Sequence, residues 1–297
     1  MYFVVAHIKN LFLNSLISSC NVSYKMEKKR SQKTLKNFSF ATWNIDGLHK
    51  VNIKERTMAV ISTIQERNLD IVFLQEVVPE SYDLLNSHLS SAYLLTDNKA
   101  NVSEEQYYFT AILLKRETLW VKNITHIPFD NSGMGRDLSV VDAKFVNGAK
   151  IVLMNTHLES MKQFARERME QLKTAFDMVS DEDENSTVVF AGDLNIRDSE
   201  VDKVGIPDQV ADLWTLLGEP KEYQFTWDLT INTNMTPFDN RPPRFRFDRV
   251  YFRPSAKNNI KPKDFRFCGT KKIPGWKCFP SDHFGILCNF EFGEYTL

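Results

Sequence analysis

Ten polar residues stand where apolar runs stop: Asn44, Asp46, Glu76, Asn155, His157, Asp193, Asn195, Asp248, Asp282 and His283. Carboxylates, carboxamides and imidazoles make up this set, and no thiolate belongs to it. Hard oxygen donors of this kind suit Mg²⁺, which takes a few carboxylate oxygens and keeps most of its waters. Imidazoles beside them suit phosphorus chemistry, in which a metal and cationic side chains offset charge on the non-bridging oxygens. A phosphodiester repels a hydroxide nucleophile, so such a site has to neutralise the phosphate and orient a water together.

Each residue also has a local structural reading. Asn44, Asp46 and Gly47 could form a turn, because Asp-Gly is a common turn dipeptide. AGDLNIRD could be a second turn, and NTHLES a strand end with Ser160 capping a helix. Glu76, inside FLQEV, fits such a reading less well, because a carboxylate ending an apolar run is costly unless paired or metal-bound. The local readings weaken jointly, since independent turns would not select one set of oxygen and imidazole donors.

The elements that must position these groups are short apolar runs. FSFATWN, LDIVFLQE, KIVLMNTH, STVVFAGDLN, FRFDRVYF and FGILCNFEF each adjoin a polar tip, and YYFTAILLK and LWVKNITHI lie between them. Runs of this length bounded by turn signals predict strands buried on at least one face. Strands that end at one rim bring their tips to one site. Helical spacing is rarer. Residues 53–67 place Val60, Ile61 and Ile64 on one stripe, residues 163–179 place Phe164, Leu172, Phe176 and Val179 on another, and Pro79 opens PESYDLLNSHL. Helices interleaved among strand groups predict an α/β layered sandwich with mixed sheets.

With 297 residues, 42% of them hydrophobic, the chain can bury a large core. Its formal net charge of −1 gives no overall pull toward nucleic acid, so polyanion binding must be local. Residues 241–277 offer such a patch: twelve Lys or Arg against Asp248 and Asp264, with Phe245, Tyr251, Phe265, Phe267 and Trp276 among the interleaved aromatics. That stretch is expected to grip and stack on single-stranded DNA. Of four cysteines, Cys20, Cys268, Cys278 and Cys288, the last three match no zinc spacing and read as small core residues in a reduced compartment. Residues 1–37 read as a flexible, basic leader without a signal peptide or membrane span, and residues 38–297 as one catalytic domain. Within the leader, YKMEKKRSQKTLK holds six basic residues and one acidic one, a composition able to direct nuclear import.

Taken in order, WNIDG, LQE, NTHLES, GDLN, FDR and SDH resemble the endonuclease/exonuclease/phosphatase superfamily of metal-dependent phosphodiesterases. TWNIDGL, FLQEV, NTHLES, AGDLNIRD and RFDRVYFR resemble, more narrowly, the branch that removes topoisomerase II tyrosine from DNA 5′ ends. The resemblance implies a four-layer α/β sandwich, two mixed β-sheets flanked by helices, like deoxyribonuclease I. It implies Mg²⁺, with Mn²⁺ able to substitute, held by Glu76 with Asp46, Asn44 and Asp282 nearby. Asp193 would orient and deprotonate the attacking water beside Asn195, while His283, aligned by Asp248, and His157 would grip non-bridging oxygens. Contacts to the terminal nucleotide would come from Asn44, Ile45, Asp46, Gly47 and Leu48, from His157, Leu158, Glu159, Ser160, Met161 and Lys162, and from Asn195, Ile196 and Arg197. Trp227 and Phe247 would wall the DNA end. Lys162 stands where the resemblance leads one to expect arginine, which removes a bidentate fork. The expected partners are DNA 5′ ends carrying phosphotyrosyl adducts, including topoisomerase II adducts, met by a nuclear monomer with no membrane attachment. An abasic-site endonuclease, a deadenylase or an inositol-lipid phosphatase would share Glu76, Asp193, Asn195 and His283. TWNIDGL, HLES and the Trp227–Phe247 pair favour the tyrosyl reading over these.

Overall fold

The computed structural model describes residues 35–96, 108–236, 242–257 and 259–293. Nearly all of the leader, Cys20 and residues 237–241 of the loop after Trp227 lie outside the described residues. Among the described residues no helix is long and apolar enough to cross a membrane.

One sheet is built from β1 (Asn37–Asn44), β2 (Ile71–Val77), β3 (Tyr93–Leu95), β4 (Phe109–Lys115), β13 (Ile260–Cys268) and β14 (Gly285–Phe292). The other comprises β5 (Leu119–Pro128), β6 (Asp137–Phe145), β7 (Lys150–His157), β8 (Thr187–Asp193), β9 (Ala211–Asp212) and β12 (Asp248–Arg253). Their orders are β13-β14-β1-β2-β4-β3 and β5-β6-β7-β8-β12-β9, and a small ribbon joins β10 (Trp227–Asp228) to β11 (Arg244–Phe245). Both large sheets are mixed, since β1–β2 and β7–β8 run parallel and the other pairs antiparallel.

Alternation along the strands explains the layers, because successive side chains point to opposite faces. Phe38 and Phe40 of β1 face the second sheet and meet Phe145, Leu153, Val189 and Phe252 in a core between the sheets. Ala41 and Trp43 face the other way, onto α1 (Ile53–Arg67) and α2 (Pro79–Leu89), where Val60, Ile61, Ile64 and Leu85 are buried. On the far side, Leu172, Phe176 and Val179 of α3 (Ala165–Asp181) cover Met154, Val188 and Phe190. The expected four-layer α/β sandwich is the observed architecture. Leu172, Phe176 and Val179 of the expected α3 stripe are buried, but Phe164 is not part of it, because residues 162–164 form a separate 3₁₀ turn and the helix starts at Ala165.

Strand direction places the polar tips. β1, β2, β7 and β8 run toward one rim, whereas β12 and β14 run away from it, so their first residues lie there. The register shows this directly: Asp248 sits opposite Asp193, His157 beside Asp193, and Thr42 opposite Ile286.

Candidate active site

Asn44 ends β1 with its side chain buried, and its Nδ2 donates to Glu76 Oε1 at 3.1 Å and to Asp193 Oδ2 at 2.9 Å. Both partners are acceptors, so the amide nitrogen must face them. One carboxamide thus ties a carboxylate of the first sheet to a carboxylate of the second. Asn44 Oδ1 accepts from the Asp46 amide at 2.9 Å and closes an Asx turn at the strand end. The turn reading of this stretch holds, and the turn residues stand at the rim beside Glu76 and Asp193.

Three of the tip residues hold a left-handed backbone: Asp46 with φ 51°, Glu76 with φ 53° and Asn195 with φ 51°. Asn and Asp tolerate this region, but glutamate seldom occupies it, and such strain concentrates at functional sites. The twist at Glu76 interrupts the β2–β4 pairing between Leu74 and Val77 and lifts its carboxylate to the rim. Gly47 permits the arrangement, because a Cβ there would meet the Glu76 carbonyl oxygen at 2.1 Å.

Asp193 is buried, and its Oδ2 lies 3.3 Å from His157 Nε2 and 3.7 Å from His283 Nε2. Its Oδ1 accepts from the Asn195 amide at 3.0 Å. Burial alone would raise the Asp193 pKa, but His283, His157 and the Asn44 amide outweigh it and hold the carboxyl well below its ordinary range. His283 Nδ1 pairs with Asp248 Oδ2 at 2.7 Å. Burial would lower the imidazole pKa, yet Asp248, Asp193 and Asp282 raise it well above the usual value, which favours the protonated ring. Asp248 itself is pushed upward by burial, which together with Asp193 outweighs the lowering effect of His283.

The first-sheet side is charged differently. Burial, followed by Asp282 and then Glu76, raises Asp46 to about 8, despite Arg56 at 3.1 Å. Asp282 is tethered by the Trp227 indole N–H at 3.0 Å. Glu76, Asp46 and Asp282 with the Asn44 amide are therefore an oxygen-rich set with an excess of negative charge, which fits a divalent cation. A second set, Asp193, Asp248 and His283, offers three ligand atoms within 4.8 Å of one another. Its imidazole sits between the two carboxylates, whereas the first set gathers three carboxylates around one guanidinium.

Other expected residues take supporting places. Asn155 is buried one level below the rim, where it accepts from Gln75 at 2.8 Å and donates to the carbonyls of Leu74 and Ala111. The side chains of Ile45, Leu158, Glu159 and Ile196 are sealed inside, leaving them only backbone to offer a ligand. Glu159 instead receives the amides of Gly133 and Met134 at 3.0 and 3.1 Å and the Ser132 hydroxyl at 2.7 Å. Leu48 and Ser160 are half-buried, and Met161 and Lys162 are exposed at the rim of the same loop. Trp227 and Phe247 meet with centroids 5.7 Å apart, and Phe245 stacks on Phe247 at 4.7 Å to complete an aromatic wall. The Arg197 guanidinium lies 5.4 Å from the Phe245 ring centre.

Two arginines escape a reading of the sequence. Arg56 is buried and donates to the carbonyls of Ile45, Asp46, His49 and Val51, so it templates the whole loop after β1. Arg136 is buried over the Tyr108 ring, whose centre lies 6.5 Å from that of His157. Arg136 Nε and Nη1 have no hydrogen-bond partner among the described residues. A faint signal was present in SGMGRD, a loop rich in glycine with one charge pair.

The basic stretch is largely consumed within the fold. Arg249 and Arg246 pair with Asp198 at 2.7 and 3.1 Å, and Arg246 also pairs with Asp212 at 2.6 Å. Arg244 pairs with Asp228 at 2.8 Å, and Arg253 caps the carbonyls of Glu182 and Asp183. Four arginines of the stretch expected to grip single-stranded DNA thus have partners within the fold.

The Endonuclease/Exonuclease/phosphatase family model matches residues 41–283. This chain belongs to that family. Tyrosyl-DNA phosphodiesterase 2 of Bos taurus is 40% identical over 280 residues, covering 94% of this chain and 74% of the relative. Its Homo sapiens counterpart is 40% identical over 256 residues, covering 86% and 68%. The crystal structure of D. rerio TDP2 complexed with single strand DNA product aligns with a TM-score of 0.80 at 33% identity, over 86% of this chain and 99% of that one. The human Nocturnin catalytic domain, at 17% identity and a TM-score of 0.64, shares the fold. The chain is accordingly a hydrolase of the phosphodiesterase type.

Proposed function

We propose that this chain hydrolyses the bond between a tyrosine and a DNA 5′ phosphate, leaving a 5′-phosphate for repair of double-strand breaks. The observation that carries the reading is Asp193, a carboxylate buried between two imidazoles at the rim where Glu76 also emerges. Relatives bearing the name tyrosyl-DNA phosphodiesterase 2 give the substrate class its support. Adducts of topoisomerase II are the proposed natural substrates, the nucleus the proposed location and a monomer the proposed state.

Glu76, Asp46, Asn44 and Asp282 would hold Mg²⁺, or Mn²⁺ in its place, which supplies positive charge against the phosphate. Asp193 accepts a proton from the attacking water, and its low basicity is offset by the fixed position that Asn44 and the Asn195 amide impose. His283, kept cationic by Asp248, donates to one non-bridging oxygen, and His157 to another. Trp227, Phe245 and Phe247 exclude water from one flank and face the terminal nucleotide. A tyrosine leaving group has a pKa of about 10, far below that of a sugar alkoxide, so it departs without a strong general acid.

The test offers a 5′-phosphotyrosyl oligonucleotide, an abasic duplex and an inositol phosphate to the purified protein, with Mg²⁺, Mn²⁺ or chelator. Selective, divalent-dependent release of tyrosine is expected. Preferred cleavage of either other substrate would overturn the reading.

A further inference from the structure

Ion pairing sorts the cations of residues 241–277 into two groups. Arg244, Arg246, Arg249 and Arg253 are committed to carboxylates or carbonyls, while Lys263 pairs with Glu291 at 2.9 Å and Arg266 with Asp264 at 3.2 Å. Lys257 and Lys261 sit near the far end of the sandwich, since β12 starts at the rim with Asp248 and β13 starts opposite Phe292. Lys271, Lys272 and Lys277 are different. They share the loop between β13 and His283, all three are exposed, and none has an ion-pair partner among the described residues. The loop also displays Trp276, 43% exposed although it is a large aromatic.

The loop is built to hold this display in place. Ile273 N–H donates to the Cys278 carbonyl at 2.9 Å, and Trp276 N–H to the Ile273 carbonyl at 2.9 Å. At its start, Gly269 (φ 68°) presses against Trp43, where a Cβ would approach the ring to 2.2 Å. At its end, Asn52 Nδ2 donates to Cys278 Sγ at 3.7 Å, and the Arg56 that templates the Asn44–Asn52 loop reaches the Pro280 carbonyl at 3.5 Å. Lys272 lies over the Phe279 ring at 5.9 Å. Three ammonium groups with no carboxylate partner among the described residues and an indole face, on a pinned loop a few residues before His283, have the chemistry that takes a single nucleic-acid strand: phosphates on lysines and a base on the ring.

We propose that the Gly269–Cys278 loop binds the substrate strand beyond the terminal nucleotide, with Lys271, Lys272 and Lys277 on its phosphates and Trp276 stacked on a base. The proposal rests on the substrate class argued above and adds a second grip to the aromatic wall. It is tested with the triple variant K271Q/K272Q/K277Q and with Trp276→Ala. Two substrates are compared: the 4-nitrophenyl ester of thymidine 5′-phosphate, too short to reach the loop, and a long 5′-phosphotyrosyl oligonucleotide. The triple variant is expected to keep wild-type kcat/KM on the short ester. On the long substrate its KM should rise about tenfold at unchanged kcat, and the salt slope should fall by about 2, near 0.7 per lost phosphate contact. Trp276→Ala should raise KM severalfold and leave the salt slope alone. Wild-type KM on the long substrate, or equal losses on both substrates, would overturn the proposal. A separate arm measures anisotropy of a plain labelled oligonucleotide on Asp193→Asn protein with and without the lysine changes. Weaker binding in the triple variant supports the loop even if tyrosine release fails, whereas equal binding sinks it.

Discussion

Asp46 and Asp193 lie at matching ends of neighbouring layers, yet their carboxyl groups are driven in opposite directions. Asp193 is held well below the usual carboxylate range by His283, His157 and the Asn44 amide, which outweigh its burial. Asp46 is raised to about 8 by burial and by Asp282 and Glu76, with Arg56 as a partial counterweight. The second-sheet half sets an imidazole between its two carboxylates, whereas in the first-sheet half three carboxylates share the single guanidinium of Arg56. On the proposed reading the two halves divide the work: water activation and phosphate gripping on one side, cation holding on the other. Asn44 joins them, since it donates to Glu76 and Asp193 at once.

Removing the proposed proton acceptor of the second-sheet half should do the most damage. Asp193→Asn is expected to lower turnover of a phosphotyrosyl oligonucleotide by about 10³-fold, within the range of a lost general base, with KM nearly unchanged. A loss confined to KM would move the base elsewhere. Glu76→Gln should cost about 10²-fold at fixed Mg²⁺ and erase the rise in Tm that Mg²⁺ gives the wild type. Without metal its Tm should not fall, because the substitution relieves repulsion of Asp46; a clear drop would contradict the charge excess.

Gly47→Ala probes the geometry that presents Glu76. The added methyl meets the Glu76 carbonyl at 2.1 Å, so urea denaturation should show a loss of about 1–3 kcal/mol. Wild-type stability would mean that the Glu76 twist is not held by this contact. The smallest effect is expected away from both halves, at the Arg168–Glu200 pair (2.8 Å). Burial would raise Glu200, but the Arg168 hydrogen bonds and the Arg197 amide lower it. Its contribution is present above the unfolded pKa of about 4.3 and lost as pH falls through the lower folded value. Glu200→Gln should flatten the acid limb of a stability–pH curve by that amount, leaving the limb above neutrality unchanged.

The fold was legible because its strands obey period two. Phe38 and Phe40 against Ala41 and Trp43 already separate the inner face of β1 from the outer one. The tips were legible because polar residues ending apolar runs are costly without a purpose. What stayed hidden depends on partners distant in sequence. Arg246 and Arg249 read as a DNA patch until the fold brings Asp198 and Asp212 to them. Glu159 sits in a motif that resembles a nucleotide contact, yet the Ser132–Met134 loop, more than twenty residues earlier, claims its carboxylate. The positive φ of Glu76 had no local signal, because glutamate is not a residue chosen for that conformation; only Gly47, folded against its carbonyl, explains it.

The division of labour across the rim is tested most directly by Mn²⁺ titration, followed by electron paramagnetic resonance, of the wild type, Glu76→Gln and Asp248→Asn. The cation is predicted to lose its tight site in Glu76→Gln and to keep it in Asp248→Asn. Binding that survives Glu76→Gln but vanishes in Asp248→Asn would put the cation among Asp193, Asp248 and His283, and would contradict the account.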